Sequence, residues 1–577
     1  MLGERRKKRA KSTSGSGRFI FLWVAVTLAL LAISARLVEL HVIEAPAFAK
    51  LAEEQRTRDL ELLPRRGTIF DREGEPLAIS VEARSIYASP RFVKDPAATA
   101  KSLSTILGGN AAEYEEKLRR DAGFVYIARK VDIERANALK ELDLAGIGFL
   151  DDSRRVYPFG ELAAQVLGFV GVDNIGLTGI EKQYDDVLAG TPGRIIAERD
   201  PSGRPIPGGV SHTELPVDGE DIQLTIDKDI QHKAQMVLAE TVKSSGAIGG
   251  NVIVMDANDG SIYAMASYPG FDPNNFRSAD QSAVRNRALT DVYEPGSTLK
   301  ALTVAAAIDR GLFTPESVFD LPATIQIGGR TIGEARRREF ARMDLTEILA
   351  FSSNVGSVKL GMAMGPETLY DYFDRFGLNE APGIDFPGQS RGVLIPVDQW
   401  SPSTLGTLTY GQGISLTPMQ LARAMCAIAN GGTLPAPHLL SSADGAQTTG
   451  PRAISESTSA TMREMLVSAV TSGTGSAAAM PGYSVAGKTG TALKIKEDGS
   501  GYAKGKYIAS FAGFLPAGDP QVVILVNIDE PGGNAFGGVV AAPAFRRIAE
   551  FVVSHIGISP QPERQIDDTT TVGADVL

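Results

Sequence analysis

The sequence predicts a multidomain α/β protein: a single N-terminal membrane-spanning helix, a mixed α+β domain, and an α/β domain in which a strand, a helix and a hairpin precede a buried helix. Three observations carry this. The 577 residues exceed what one hydrophobic core holds, and 43% hydrophobic with 22% charged residues is ordinary for globular protein. Phe19 to Ala35 runs without a charge directly after a basic segment. Beyond it, strand-like alternation and helical periodicity recur on both sides of a Pro/Gly-rich passage.

The first element follows from charge and length. Arg5, Arg6, Lys7, Lys8, Arg9, Lys11 and Arg18 precede the apolar run, which reaches the lower end of what spans a bilayer; Trp23, Arg18 and Arg36 suit its interfaces. The excess of positive charge puts residues 1–18 in the cytoplasm as a basic tail, residues 19–38 in the membrane and the rest outside. A cleaved signal peptide is the competing reading, with small residues near Ser34 and Ala35 as the cut; either way the bulk of the chain is exported. Val38 to Arg58 reads as a helical continuation.

Arg65 to Ala78 then reads as a hairpin turning at Asp71 to Gly74. Short strands (Ser85 to Ala88, Phe124 to Ala128) and helices (Ala97 to Leu107, Ile133 to Leu142) follow. Pro201 to Pro207 and Glu214 to Gly219 mark a boundary, closing a domain over 39–220. In the next domain, 221–555, Asp221 to Ile226 reads as a strand, Asp229 to Val242 as a helix, and Asn251 to Met255 with Ser261 to Ala266 as a hairpin. Residues 556–577 are polar, Pro/Asp/Thr-rich and expected to be disordered.

Composition narrows the chemistry. A formal net charge of −10, with the visible positive cluster confined to the N-terminus, argues against a nucleic-acid binder. One cysteine, Cys426 in an apolar segment, excludes an intramolecular disulfide and a thiolate metal cluster, and reads as a small core residue. His41, His212, His232, His438 and His555 show no metal-ligand spacing, so no metal or cofactor is expected.

The stretch that bears chemistry is Glu294-Pro295-Gly296-Ser297-Thr298-Leu299-Lys300, before the apolar run Ala301 to Ile308. Proline and glycine stop what precedes, and the apolar run reads as a buried helix with Ser297 in its first turn, facing the positive end of the dipole. Helical spacing puts Lys300 beside Ser297 as a base, provided burial or nearby positive charge lowers its pKa. Alone, a Ser-x-x-Lys pair more often lies on a solvated helix face. Two more stretches can complete a site. Ser352-Ser353-Asn354 falls between helical runs, where hydroxyl and amide groups can relay a proton and bind a peptide, or simply cap a helix. Lys488-Thr489-Gly490-Thr491 suits a strand along which an extended peptide can lie, its glycine allowing close approach. Gly482, Gly487, Lys488 and Thr489 also satisfy a phosphate-loop pattern, but no apolar strand leads into Gly482 and Gly490-Thr491 stand where a helix should start.

The three stretches, in this order and spacing, resemble the penicillin-binding proteins and serine β-lactamases. Arg66 to Gly74 resembles the first pedestal motif of the class B high-molecular-weight penicillin-binding proteins. Tyr293 to Ser297, Tyr410-Gly411-Gln412-Gly413 and Phe511 to Phe514 resemble their transpeptidase domain. Glu294 and the run Arg66 to Ala78 resemble the division-specific, FtsI-type member most. The resemblance implies a penicilloyl-serine transferase fold with a central antiparallel sheet, behind a periplasmic, dimerisation-like pedestal and an inner-membrane anchor. It implies a peptidoglycan D,D-transpeptidase that is acylated by β-lactams and works with an FtsW-type glycosyltransferase and other divisome proteins. Ser297 is then the nucleophile and Lys300 its base; Ser352 relays the proton, Asn354 orients the substrate amide, and Lys488 meets the substrate carboxylate and is the chief cause of a lowered Lys300 pKa. Ser353, Thr489, Gly490 and Thr491 bind the stem peptide ending in D-Ala-D-Ala, and the Ser297 and Thr491 N–H groups hold the oxyanion. An elongation-specific transpeptidase, a β-lactamase or D,D-carboxypeptidase, and a non-catalytic penicillin-binding scaffold are the alternatives.

Overall fold

A computed structural model describes residues 16–48, 50, 57–198, 211–441, 450–496 and 498–560. Most of the basic tail, Pro201 to Pro207 and residues 561–577 of the C-terminal tail lie outside them. The described residues fall into two compact units, one within Met1–Pro64 and Thr191–Val217, the other within Arg65–Gly190 and Asp218–Leu577.

In the first unit a helix covers Ser16–Val38 and widens into a π-turn at Glu39–Ile43. The 27 residues Gly17–Ile43 form one helix long and apolar enough to cross a membrane, with its apolar side chains exposed. The chain is not helical through Arg58, as the residue preferences suggest, because Thr57–Leu62 pairs antiparallel with Gly193–Glu198, which also pairs with Ser211–Glu214.

The second unit begins with the hairpin. Ile69 opposes Ala78, and Asp71 closes the turn by accepting the N–H groups of Glu73 and Glu75. Its other oxygen accepts the Lys228 N–H at the start of the Lys228–Ser245 helix. The second arm runs on through Pro76–Ala88 and pairs with both Val125–Asp132 and Ile147–Val156. Beneath it lies a buried ionic cluster. Glu181 accepts Arg66 Nε and Arg155 Nε, both at 2.6 Å, and the Tyr157 hydroxyl at 3.2 Å. A buried carboxylate and two guanidiniums persist together because their charges are paired, Asp185 adding a second carboxylate on Arg66 Nη1 at 2.6 Å.

The sheet that carries the site has five antiparallel strands in the order Ile262–Tyr268, Gly249–Asp256, Val522–Asp529, Tyr502–Leu515, Ala486–Ile495. Two-residue alternation sorts its side chains. Val252, Val254, Ile524 and Val526 pack under the helices Lys228–Ser245 and Gly537–His555. Ile253, Met255, Val523 and Leu525 pack on the other face against Lys300–Asp309 and Pro418–Ala429. Every residue of Pro418–Ala429 is buried, Cys426 among them, and its two polar side chains are partnered inside the protein, Gln420 in the capping box with Thr417 and Arg423 on Pro435 O. The predicted strand Asp221 to Ile226 shrinks to Ile222–Gln223, which extends the pedestal sheet in parallel with Ile69–Phe70. Ile69, Leu77 and Ile180 belong to the same core as Ile253 and Met265, so the pedestal base and the catalytic half share one apolar interior.

Candidate active site

Pro295 and Gly296 set the turn that carries Ser297. Gly296 adopts φ +56°, and residues Gly296–Leu299 form a 3-10 turn that leads into the Lys300–Asp309 helix. Gly296 donates its N–H to Gly411 O at 3.1 Å, and Gly411 must lack a side chain because a Cβ there would lie 2.2 Å from Gly296 O. Glu294, buried, accepts the Gly413 N–H at 2.7 Å and the Tyr502 hydroxyl at 2.9 Å, clamping the turn between two loops. Ser297 itself is half-buried, and among the described residues no hydrogen bond reaches its hydroxyl.

Lys300 is fully buried. Its Nζ does not bond Ser297, as helical spacing suggests; it turns to the other motif, donating to Ser352 O at 2.6 Å and Asn354 Oδ1 at 2.7 Å, with Ser352 Oγ at 3.2 Å. Burial is the main reason its pKa lies well below that of an ordinary lysine, and the charge of Lys488 is the second. This reverses the expected ranking, in which Lys488 came first.

The turn receiving Lys300 joins the helices Leu345–Ala350 and Asn354–Met364, and Ser352 sits in it at φ +61°. That conformation is costly for a residue with a Cβ, and it is what aims the Ser352 carbonyl at Lys300. Ser353, expected to touch substrate, is fully buried; its Oγ accepts the Gly356 N–H and donates to Glu334, so the hydroxyl is committed to capping. Glu334 also accepts the Asn354 N–H at 2.7 Å, and Gly333 O accepts Asn354 Nδ2 at 2.9 Å.

Lys488, Thr489, Gly490 and Thr491 lie on the sheet's edge strand. The strand continues through Thr491, so there is no helix to make a phosphate loop. Lys488 is fully buried with Nζ 3.3 Å from Thr489 O, and burial lowers its pKa to about 7. Gly490 is glycine for a reason other than substrate approach: a Cβ would lie 2.3 Å from Ser510 Oγ and 2.9 Å from both Pro295 O and Thr298 Cγ2, so the Ser297 turn fills that space. Thr489 Oγ1 meets Thr474 Oγ1 at 2.8 Å, and Thr491 Oγ1 accepts the Gly537 N–H at 3.0 Å.

The structure thus brings Lys300, Ser352 and Asn354 into direct contact and packs the Ser297 turn on the Lys488 strand. The sequence reading missed Glu334, and treated Glu294 as a family resemblance without a contact. Glu334 lies 19 and 20 residues from its partners and Glu294 more than 100 from Gly413, separations no local pattern reveals. Elsewhere Asp227, Asp229 and His555 bring three possible metal-ligating atoms within 4.8 Å. Asp227 is engaged there, capping the Lys228–Ser245 helix through Oδ1 and bonding His555 Nε2 through Oδ2, which ties the last helix to that cap.

A neutral lysine amine has two N–H groups and one lone pair. With both N–H groups held by Ser352 O and Asn354 Oδ1, the lone pair is left to take a hydroxyl proton, and an edge strand beside it can align an extended peptide. Known proteins resemble this chain over nearly its whole length. Residues 250–550 match the penicillin binding protein transpeptidase domain, and residues 61–224 the penicillin-binding protein dimerisation domain. The chain is 34% identical to stage V sporulation protein D of Bacillus subtilis over 98% of its own length and 90% of that protein. It is 35% identical to peptidoglycan D,D-transpeptidase FtsI of Escherichia coli, over 94% and 93%. The crystal structure of penicillin binding protein 3 from Mycobacterium tuberculosis complexed with aztreonam is similar at a TM-score of 0.68 and 31% identity, covering 87% of this chain and 98% of that one. The chain belongs to the penicillin-binding proteins, as a class B type with a dimerisation domain ahead of its transpeptidase domain.

Proposed function

We propose that this protein cross-links peptidoglycan stem peptides as a D,D-transpeptidase at the division septum and that β-lactams acylate it at Ser297. The observation carrying the reading is the buried Lys300 amine, its N–H groups held by Ser352 and Asn354 and its pKa well below the ordinary lysine range. Neutral Lys300 takes the Ser297 proton as Oγ attacks the carbonyl of the penultimate D-Ala. The tetrahedral oxyanion lies between the Ser297 and Thr491 N–H groups, donors preorganised by the strand and worth a few kcal/mol. Ser352 carries the proton to the leaving D-Ala amine, and the acyl bond to Ser297 replaces the peptide bond. Asn354 orients the substrate amide, Lys488 meets its carboxylate, and Thr489 and Thr491 line the strand on which it extends. An amine of a second stem peptide then displaces Ser297, restoring the hydroxyl. Ser353 and Gly490 act as a cap and a packing position.

The septal assignment follows the likeness to FtsI and brings an FtsW-type glycosyltransferase and other divisome proteins as partners. The Gly17–Ile43 helix is the anchor in the inner membrane, with residues 1–18 cytoplasmic, a pedestal over 39–220 and a catalytic domain over 221–555 outside. A D,D-carboxypeptidase or β-lactamase differs in the acceptor, which is water. The distinguishing experiment gives the purified protein a stem-peptide ester and a D-amino acid amine as acceptor. A transpeptidase partitions its acyl-enzyme to the aminolysis product as amine concentration rises; hydrolysis undiminished by amine would reject the reading in favour of a hydrolase.

A further inference from the structure

Glu334 follows the Arg330–Gly333 strand and faces the Ser352–Asn354 turn with a side chain only 5% exposed. One oxygen accepts Ser353 Oγ at 2.5 Å and Arg338 Nη2 at 2.9 Å, and the other accepts the Asn354 N–H at 2.7 Å. The carbonyl just before it, Gly333 O, takes Asn354 Nδ2, which leaves Asn354 Oδ1 to face Lys300. One short segment therefore sets the backbone, the cap and the amide orientation of the turn that holds the Lys300 amine. We propose that Glu334, balanced by Arg338, is a positioning residue for the acyl-transfer reaction: it locks the Ser352–Asn354 turn onto Lys300 and tunes the charge that the amine experiences. This rests on Lys300 acting as the base.

A helix cap alone requires neither a buried carboxylate nor its arginine, since Ser353 Oγ already takes the Gly356 N–H. The charged groups acting on Lys300 are Lys488 and Arg338, which push its proton off, and Glu334, which holds it on. Removing Glu334 therefore lowers the pH at which Lys300 becomes neutral, and removing Arg338 raises it. In Glu334→Gln the amide also presents N–H groups where Ser353, Asn354 and Arg338 all donate, so the turn loses acceptors.

The test is the pH profile of second-order acylation by a fluorescent penicillin on the full chain, with thermal unfolding to confirm folding. E334Q is expected to lose roughly tenfold in maximal rate, as for a buried donor left unpaired, and to move the acid limb to lower pH by several tenths of a unit. Arg338→Met moves that limb to higher pH, and E334D, keeping the charge, leaves it near the wild-type position. If E334Q does not fold, R338M, whose side chain is more exposed, decides alone. An acid limb that stays at the wild-type pH in R338M or in folded E334Q, or that moves the same way in both, overturns the proposal. Failure of the underlying reading has a separate signature: wild-type protein that takes no covalent label, which removes both.

Discussion

Lys488 holds an amine where burial opposes its charge. Among the described residues no carboxylate lies within ion-pair distance, its bonds go to Thr489 O and Oγ1, and burial lowers its pKa to about 7. An unfolded lysine titrates near 10.4, so between that pH and about 7 the unfolded chain holds a proton the folded one does not. Stability from this group therefore falls as pH drops through that window and is lowest below it. Lys488→Met is expected to raise stability at pH 7 by about 3 kcal/mol while abolishing capture of carboxylate-bearing substrates. The gain should vanish above about pH 10.5, where both states are neutral. Equal unfolding temperatures for mutant and wild type at pH 7 would show the amine is better solvated than its burial indicates. At this scale the meeting of Lys300 with Ser352 and Asn354, and of the Ser297 turn with the Lys488 strand, was legible because short motifs carry these residues. Glu334 was not, because its carboxylate is defined by a turn folded back from a distant segment.

At the scale of elements, the edge strand and the Ser297 turn are built as one unit. Gly490 faces Pro295 O, Thr298 and Ser510 with no room for a methyl group, and Gly537 packs on the same strand. Gly490→Ala is expected to push the Gly296–Leu299 turn away and reduce penicillin acylation at least roughly tenfold, as small misplacements of a reacting group do. Stopped-flow acylation measures it, and an unchanged rate would mean the turn is free to give. The sheet's apolar alternation was visible, so Asn251 to Met255 and Ser261 to Ala266 appear nearly where expected, as Gly249–Asp256 and Ile262–Tyr268. The Pro76–Ala88 strand was only half legible. Glu82 and Arg84 interrupt its apolar pattern, and the strand is continuous because partners on both sides supply its hydrogen bonds. Thr57–Leu62 was unreadable for a similar reason, since its partner lies more than 130 residues on.

At the scale of the whole molecule, the pedestal base is part of the foundation of the catalytic half. Asn274 exchanges hydrogen bonds with the Tyr157 backbone, Tyr184 donates to Asp385 at 2.7 Å, and Phe169 stacks on Phe276 at 4.3 Å. Glu181 anchors this base between Arg66 and Arg155. Glu181→Ala leaves the buried Arg155 without a carboxylate and Arg66 with Asp185 alone, and should cost about 3 kcal/mol. Calorimetry should show a lowered transition; a shift under about 2 °C would mean that water replaces the carboxylate. The order of domains was legible from composition, whereas the shared core and the ionic cluster were not, because Arg66, Arg155 and Glu181 meet only in the folded chain. The proposed reaction turns on acylation of Ser297 with Lys300 as its base. Mass spectrometry of the penicillin-treated full-length protein measures it: one added penicilloyl group is expected on the peptide containing Ser297, slow to form in Lys300→Ala and absent in Ser297→Ala. A penicilloyl group on another residue, or one retained in Ser297→Ala, would contradict it.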